Sequence, residues 1–269
     1  MRIENLGFFC ELFDDGIDPL YLIRETSHSF KNSKKFEKMW KIFLIPFLWY
    51  ILTEFMRSSH PTASSLFPHD QQALNNQTFV VTGGTSGIGL ETVLALTKYG
   101  HVVVGSRRSK ENNPSILVEH PRVHILPLDL SSIESAEMFL DLLEAESSLP
   151  PVRSFVLNGG VFSKFHSTSS STGIETTYQV NYLTHFHMIL KILSRRNIPV
   201  PRIVAVVSSS VYWWSTSSLD PILSSFDYNA FRAYADSKAS MYRMVKELNR
   251  MGIESYAVRV CVCVCVCFT

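Results

Sequence analysis

Residues 77–99 read QTFVVTGGTSGIGLETVLALTKY, and this stretch decides the fold. Gln77 to Thr82 is a short run rich in β-branched and aromatic residues, the composition of a buried strand. Glycines follow at 83, 87 and 89, and from Leu90 to Tyr99 the apolar residues return at helical spacing. Strand, glycine turn and helix in that order make a cradle for a dinucleotide. The glycines permit a tight turn and let backbone approach a pyrophosphate, while the helix N-terminus offers free N–H groups to the phosphates. Gly83, Thr85, Ser86, Gly87, Ile88 and Gly89 are the turn residues expected to hold it.

Moving outward, His101 to Gly105 (HVVVG) is a second strand, and it ends in Ser106-Arg107-Arg108, where a dinucleotide fold contacts the adenosine ribose. No carboxylate stands there to accept from the ribose hydroxyls. A guanidinium can pair with a 2′-phosphate in a bidentate fork, so the expected cofactor is NADP (NADPH) in preference to NAD, held chiefly through Arg107. Val123 to Leu128 (VHILPL) reads as a third strand closed by Asp129-Leu130, and Asp129 either borders the cofactor or caps a helix beginning at Ser131. Arg153 to Leu157, Pro201 to Val207 and Gly252 to Val258 complete six strands alternating with helical patterns. The expected architecture over 77–260 is an α/β domain, a Rossmann-type doubly wound parallel sheet, with no internal repeat.

A second fragment, Tyr234-Ala235-Asp236-Ser237-Lys238, follows the glycine turn along the chain. Together the two resemble the TGxxxGxG and YxxxK signatures of the short-chain dehydrogenase/reductase family, unbroken and in the expected order. Further elements fit the resemblance. Asn158-Gly159-Gly160 is similar to the family's NAG segment, with Gly159 for alanine and Leu157 for the preceding asparagine. Gly173-Ile174-Glu175 and Gln179-Val180-Asn181 resemble its GxE and VN elements, while Thr184 stands where glycine is usual. The resemblance implies a cofactor site that includes Asn158, Gly159, Tyr234 and Lys238, and a catalytic set of Asn181, Ser209, Tyr234 and Lys238. The side chain of Asn181 would help hold a water that links the lysine to solvent. Of the three serines 208–210, the family's VSS pattern selects Ser209, 25 residues before Tyr234, and a one-residue slip to Ser208 stays open because the strand carries one valine more than usual. That long spacing resembles the retinol-dehydrogenase-like branch.

Chemistry explains these residue types. A phenol titrates near 10, so Tyr234 exchanges protons at neutral pH only if its phenolate is stabilised. Lys238, four residues on and on the same helix face, is expected to lower the phenol pKa with its ammonium, aided by the cationic nicotinamide. Ser209 would hydrogen-bond the substrate oxygen. The implied reaction interconverts an alcohol and a carbonyl by hydride transfer, with tyrosine as acid and base. Val211-Tyr212-Trp213-Trp214 either line a substrate cleft, which suits a lipophilic alcohol or carbonyl of retinoid, steroid or isoprenoid kind, or pack in the core. Residues 215–228 resemble an insertion of retinol-dehydrogenase-like members and of WW-domain oxidoreductases.

The chain of 269 residues is 46% apolar with a net charge of +1, enough for one large core and without the basic footprint of a nucleic-acid binder. Residues 1–38 form an extension without clear periodicity. Within 39–56, Ile42 to Thr53 is twelve residues without a charge, short of the roughly 20 a spanning helix needs. Lysines at 31, 34, 35, 38 and 41 precede it, and Trp40, Trp49 and Tyr50 suit an interface. The alternatives are a membrane anchor, placing the protein on the endoplasmic reticulum or a lipid droplet, and an amphipathic helix packed on the domain. Residues 57–76 read as a linker. At the far end the family's histidine-proline-glycine is absent, and residues 261–269 read CVCVCVCFT, the translation expected of a TG dinucleotide repeat from a retained intron or misassigned exon end. On that reading the family's substrate lid, last helices and seventh strand are missing. Alternate cysteines on one strand face have no recognised zinc spacing. The rival function is a non-catalytic chain that binds cofactor or a partner, or is unstable. The resemblance also implies a homodimer built through long helices.

Overall fold

A computed structural model describes residues 77–170, 172–195, 201–211, 215 and 228–260. In chain order the elements are β1 (Thr78–Thr82), α1 (Gly87–Leu96), β2 (His101–Ser106), α2 (Ser115–Val118), β3 (Val123–Pro127), α3 (Ile133–Ala145) and β4 (Val152–Leu157). Then come α4 (Thr176–Tyr178), a π turn over Gln179–Leu183, α5 (Thr184–Ser194), β5 (Arg202–Ser208), α6 (Ala230–Arg250) and β6 (Ser255–Val260). The six strands form one parallel sheet in the order β3-β2-β1-β4-β5-β6. The direction in which successive strands are added reverses between β1 and β4, the switch point outside which open α/β sheets bind ligands.

Strand parity explains why the strands are apolar runs and not alternations. Val80, Val103, Phe155, Leu157, Ile203, Ala205 and Val207 enter one core with Phe139 and Leu140 of α3, Met188 and Ile192 of α5, and Met241 and Val245 of α6. Their neighbours Phe79, Val81, Val102, Val104 and Val156 enter a second core with Val93 of α1 and Leu117 of α2. Helices cover both faces, so nearly every strand position must be apolar. The expected doubly wound architecture is the one observed.

Boundaries differ in instructive places. The helix expected from Leu90 begins at Gly87, because the first turn of a dinucleotide cradle is made by the glycines themselves. The helix expected from Ser131 begins at Ile133. Ser132 caps it by accepting from the Ser135 amide, while Asp129 closes the preceding turn by accepting from the Ser131 amide and hydroxyl. The sixth strand begins at Ser255 and not at Gly252, because Gly252 and Ile253 are still bonded to Asn249 and Leu248 at the end of α6. β5 continues through Ser208, which pairs with Val260.

Among the described residues no helix is long and apolar enough to cross a membrane. The anchor expectation at 39–56, the linker, Tyr212-Trp213-Trp214, most of the 215–228 insertion and the 261–269 tail lie outside the described residues.

Candidate active site

At the carboxyl ends of β1, β2, β3 and β4 lies a groove of about 340 Å³. One wall is the glycine turn, with Gly83, Thr85, Ser86, Ile88 and Gly89. Ser106, Arg107, Asp129 and Leu130 border one end, and Asn158, Gly159, Gly160 and Val161 the other. Most of the residues expected to hold a cofactor are brought together there. Gly87 and Arg108 belong to its turns without lining it, and Tyr234 and Lys238 do not line it either.

The cradle is built by close backbone approach. A β-carbon at Gly89 would lie 2.1 Å from the Gly83 carbonyl oxygen and 2.5 Å from Asn158 Nδ2, so only glycine fits. Asn158 fastens the turn from the neighbouring strand, its side-chain amide donating to the carbonyls of Thr82 and Gly83, each at 3.1 Å. Helix α1 has no side-chain cap and no acidic residue in its first turn. Its first amides therefore face the groove with their partial positive charge uncompensated, as a diphosphate requires. Ser106 is buried and spends its hydroxyl on Asn113 Oδ1 at 2.7 Å, so it shapes the turn on which exposed Arg107 stands. These residues fit a dinucleotide: glycine backbone for the pyrophosphate and a guanidinium at the ribose end.

The residues expected to carry proton transfer meet at the Gly160 end. Lys238 Nζ lies 3.4 Å from where a Gly160 β-carbon would stand, and Asn181 Oδ1 lies 3.1 Å from it. Helix α6, capped by Asn229 accepting from the Arg232 amide, carries Tyr234 and Lys238. The hydroxyl next to the Tyr234 phenol is that of Ser208, the alternative the sequence left open beside Ser209. Sheet register is the physical reason. The extra valine of β5 makes Ser208 the last residue held by pairing with β6, and Ser209 already belongs to the turn beyond, its amide turned to the Val260 carbonyl.

The electrostatics of Tyr234 also differ from the expectation. Burial raises its pKa, opposed by the Ser208 hydrogen bond. Lys238 donates to the Val206 carbonyl at 2.9 Å, with its ammonium 5.9 Å from the centre of the tyrosine ring. Burial lowers Lys238 itself to about 8. The ammonium is thus held between the Val206 carbonyl and the tyrosine ring.

Asn181 sits in the π turn, fully buried. Its side chain accepts from the Val161 amide at 2.7 Å and donates to the Val161 carbonyl and to Ser237 Oγ, each at 3.0 Å. Both amide hydrogens and the oxygen are engaged, so the side chain clamps the Val161 segment that follows β4 to α6. Thr184, in the usual glycine position, donates to the Leu130 carbonyl at 2.7 Å and ties α5 to the groove wall.

Several contacts around the site were not legible in the sequence, those of the GxE-like Glu175 among them. Glu175 is buried and accepts from the amides of Thr177 and Tyr178 at the start of α4, and from the Tyr228 hydroxyl at 3.1 Å. Phe162 and Phe231 form an edge-to-face aromatic group with Tyr234, at 5.2 Å between the phenylalanines and 5.8 Å from Phe162 to the tyrosine. His185 is wholly buried and bonded to Thr82 Oγ1. Its spacing of four from Asn181 was the sole signal, and spacing does not distinguish a buried histidine from a surface one.

A family model described as short chain dehydrogenase matches residues 77–269. A WW domain-containing oxidoreductase of Gallus gallus is 30% identical over 192 residues, covering 66% of this chain and 45% of that protein. A chloroplastic short-chain dehydrogenase of Brassica napus, TIC 32 A, is 40% identical over 116 residues, covering 40% of this chain and 35% of its own length. The chain thus spans less than half the length of these relatives. Among solved structures, a Pseudomonas aeruginosa RhlG/NADP active-site complex superposes with a TM-score of 0.52 at 21% identity, over 71% of this chain and 75% of that one. At that identity the likeness speaks for the fold.

Proposed function

Because the chain belongs to the short-chain dehydrogenase family, we propose that it is an NADPH-preferring oxidoreductase that interconverts a lipophilic carbonyl and its alcohol. The observation that carries this reading is the placing of Lys238 at the Gly160 end of a glycine-lined groove, beside Tyr234 on the same helix, with the Ser208 hydroxyl next to the phenol. Glycine-turn backbone and the start of α1 would take the diphosphate, Arg107 the ribose 2′-phosphate, and Lys238 the nicotinamide ribose. When bound, the dinucleotide supplies a hydride to the carbonyl carbon. Ser208 then orients the carbonyl oxygen by hydrogen bonding, and Tyr234 gives that oxygen its phenolic proton, completing the alcohol. The buried lysine, poised near 8, favours return of a proton to the phenolate.

Substrate class is read from the rings beside the reacting phenol. Phe162 and Phe231 are 38% and 47% exposed although they pack on Tyr234. Exposed aromatic faces at a reactive group favour an apolar substrate surface. The test is NADPH consumption by the full chain with aliphatic, aromatic and isoprenoid aldehydes and ketones. Turnover that rises with apolar surface and disappears in Tyr234→Phe supports the reading; no turnover of any of them refutes it. We also propose that residues 39–56 bring the protein to the endoplasmic reticulum or lipid-droplet membrane. Retention of the full chain, but not of a 39–56 deletion, by phospholipid vesicles tests that.

A further inference from the structure

Fully buried inside the molecule, His185 does not line the groove, yet it bonds two of the segments that build it and reaches a third through Thr82. Its Nδ1 lies 3.2 Å from the Asn181 carbonyl and its Nε2 lies 2.9 Å from Thr82 Oγ1. That threonine oxygen already receives the amides of Asn158 at 3.1 Å and Gly159 at 2.9 Å. The roles follow by elimination. A carbonyl can only accept, so Nδ1 must carry the proton. Nε2 is then the acceptor and, at 2.9 Å, takes the threonine hydroxyl hydrogen ahead of the Val156 carbonyl at 3.5 Å, which leaves both threonine lone pairs for the two strand-end amides. The opposite tautomer would set a ring lone pair against a carbonyl and give Thr82 three donors. Burial, the larger influence, holds the imidazole neutral, with a pKa of about 4; the nearby Lys238 charge acts in the same direction, and the Asn181 bond opposes them.

Continuing from Asn181, its side-chain amide donates to Ser237 Oγ, which donates at 2.7 Å to the backbone carbonyl of Tyr234 itself. One unbroken series of hydrogen bonds therefore runs from the ends of β1 and β4, through the imidazole and the π turn, to the backbone of the proton donor. A π turn in a helix is frequently found at a functional site, and here it carries Asn181, whose carbonyl meets the His185 ring.

We propose that His185 is a positioning residue: in its neutral Nδ1–H form it joins the glycine-turn half of the site to the Tyr234 half and fixes their separation. Hydride and proton must reach adjacent atoms of one carbonyl, so that separation governs turnover at saturation more than binding. The inference rests on the functional reading above, but its first test does not.

Nitrogen-15 NMR of histidine-labelled full chain, with His185→Gln used for assignment, reads the tautomer directly. The expected signal is an Nδ1–H imidazole that stays neutral from pH 8 to about 5. An Nε2–H tautomer, or titration at the ordinary histidine value, overturns the proposal. The second test compares His185→Phe, Thr82→Val and the double variant under conditions where each is folded, with saturating NADPH and an accepted substrate. Each single change should lower kcat about tenfold or more, as small misplacements of reacting groups do. The double variant should be no worse than the poorer single. Where His185→Phe does not fold, His185→Gln and His185→Asn take its place, keeping the Thr82 and the Asn181 bond respectively. A melting temperature that falls while kcat of the folded protein is unchanged would show a merely structural role and overturn the proposal. If wild-type chain neither binds NADPH nor turns over, the functional reading fails while the tautomer result still judges the network.

Discussion

Replacing Gly89 with alanine is expected to unseat the glycine turn. The new β-carbon would stand 2.1 Å from the Gly83 carbonyl oxygen and 2.5 Å from Asn158 Nδ2, against about 3.4 Å for ordinary contact. Neither atom can swing away, since one is backbone and the other is held by its bonds to Thr82 and Gly83. Overpacking of this kind costs about 1–3 kcal/mol. Displacing Asn158 removes two further hydrogen bonds of about 1 kcal/mol each. A loss of about 4 kcal/mol corresponds to a melting temperature lower by about 10 °C for a domain of this size. Gly159→Ala is the control. Its β-carbon would meet Leu130 Cδ1 at 2.5 Å, the far end of a side chain that can rotate, and Thr82 Oγ1 at an easier 3.2 Å. Thermal melts of both full-chain variants with an NADPH titration decide the matter. The reasoning is refuted if Gly89→Ala melts within about 2 °C of wild type and binds NADPH equally well.

Three other outcomes are expected. Ser208→Ala lowers kcat about 10²–10³-fold and Ser209→Ala changes it only a few-fold; steady-state rates with saturating NADPH check this, and the reverse ranking would return the role to Ser209. Arg107→Ala weakens NADPH about 10–100-fold by removing charge-assisted hydrogen bonds to a 2′-phosphate, while NADH changes little; fluorescence titration of the two nucleotides measures both. Lys238→Met abolishes turnover yet stabilises the fold at neutral pH. The sign follows from a folded pKa of about 8 against 10.5 when unfolded. Below 8 the fold bears the whole cost of the buried ammonium, about 3 kcal/mol, and the cost is relieved as pH rises towards 10.5. Urea unfolding at pH 7 and 10 should therefore show a gain for Lys238→Met at pH 7 that shrinks at pH 10, and an equal effect at both refutes it.

The sheet was legible because a strand buried on both faces must be apolar throughout, and the runs at Phe79-Val80-Val81, Val102-Val103-Val104 and Phe155-Val156-Leu157 have no other reading in so glycine-punctuated a chain. The cradle was legible because few residue types besides glycine tolerate the approach seen at Gly89. Ser208 stayed an open alternative to Ser209 because one added valine can shift the strand end by a residue, and a run of three serines does not show where the strand stops. The electrostatics of Tyr234 were missed because sequence spacing places Lys238 on the same helix face but does not show that its ammonium turns to Val206. His185, Phe162 and Phe231 act through contacts between segments far apart in the chain, which periodicity does not record.

The most direct test of a working nucleotide site is a melting titration of the full chain with NADPH and with NADH. A ligand that binds only the folded state raises stability by about 2.7 kcal/mol at 100 times its Kd, or about 5–10 °C for this domain. The account predicts a rise of that size with NADPH and a smaller one with NADH at equal concentration. A cooperative melt that neither nucleotide moves would contradict it.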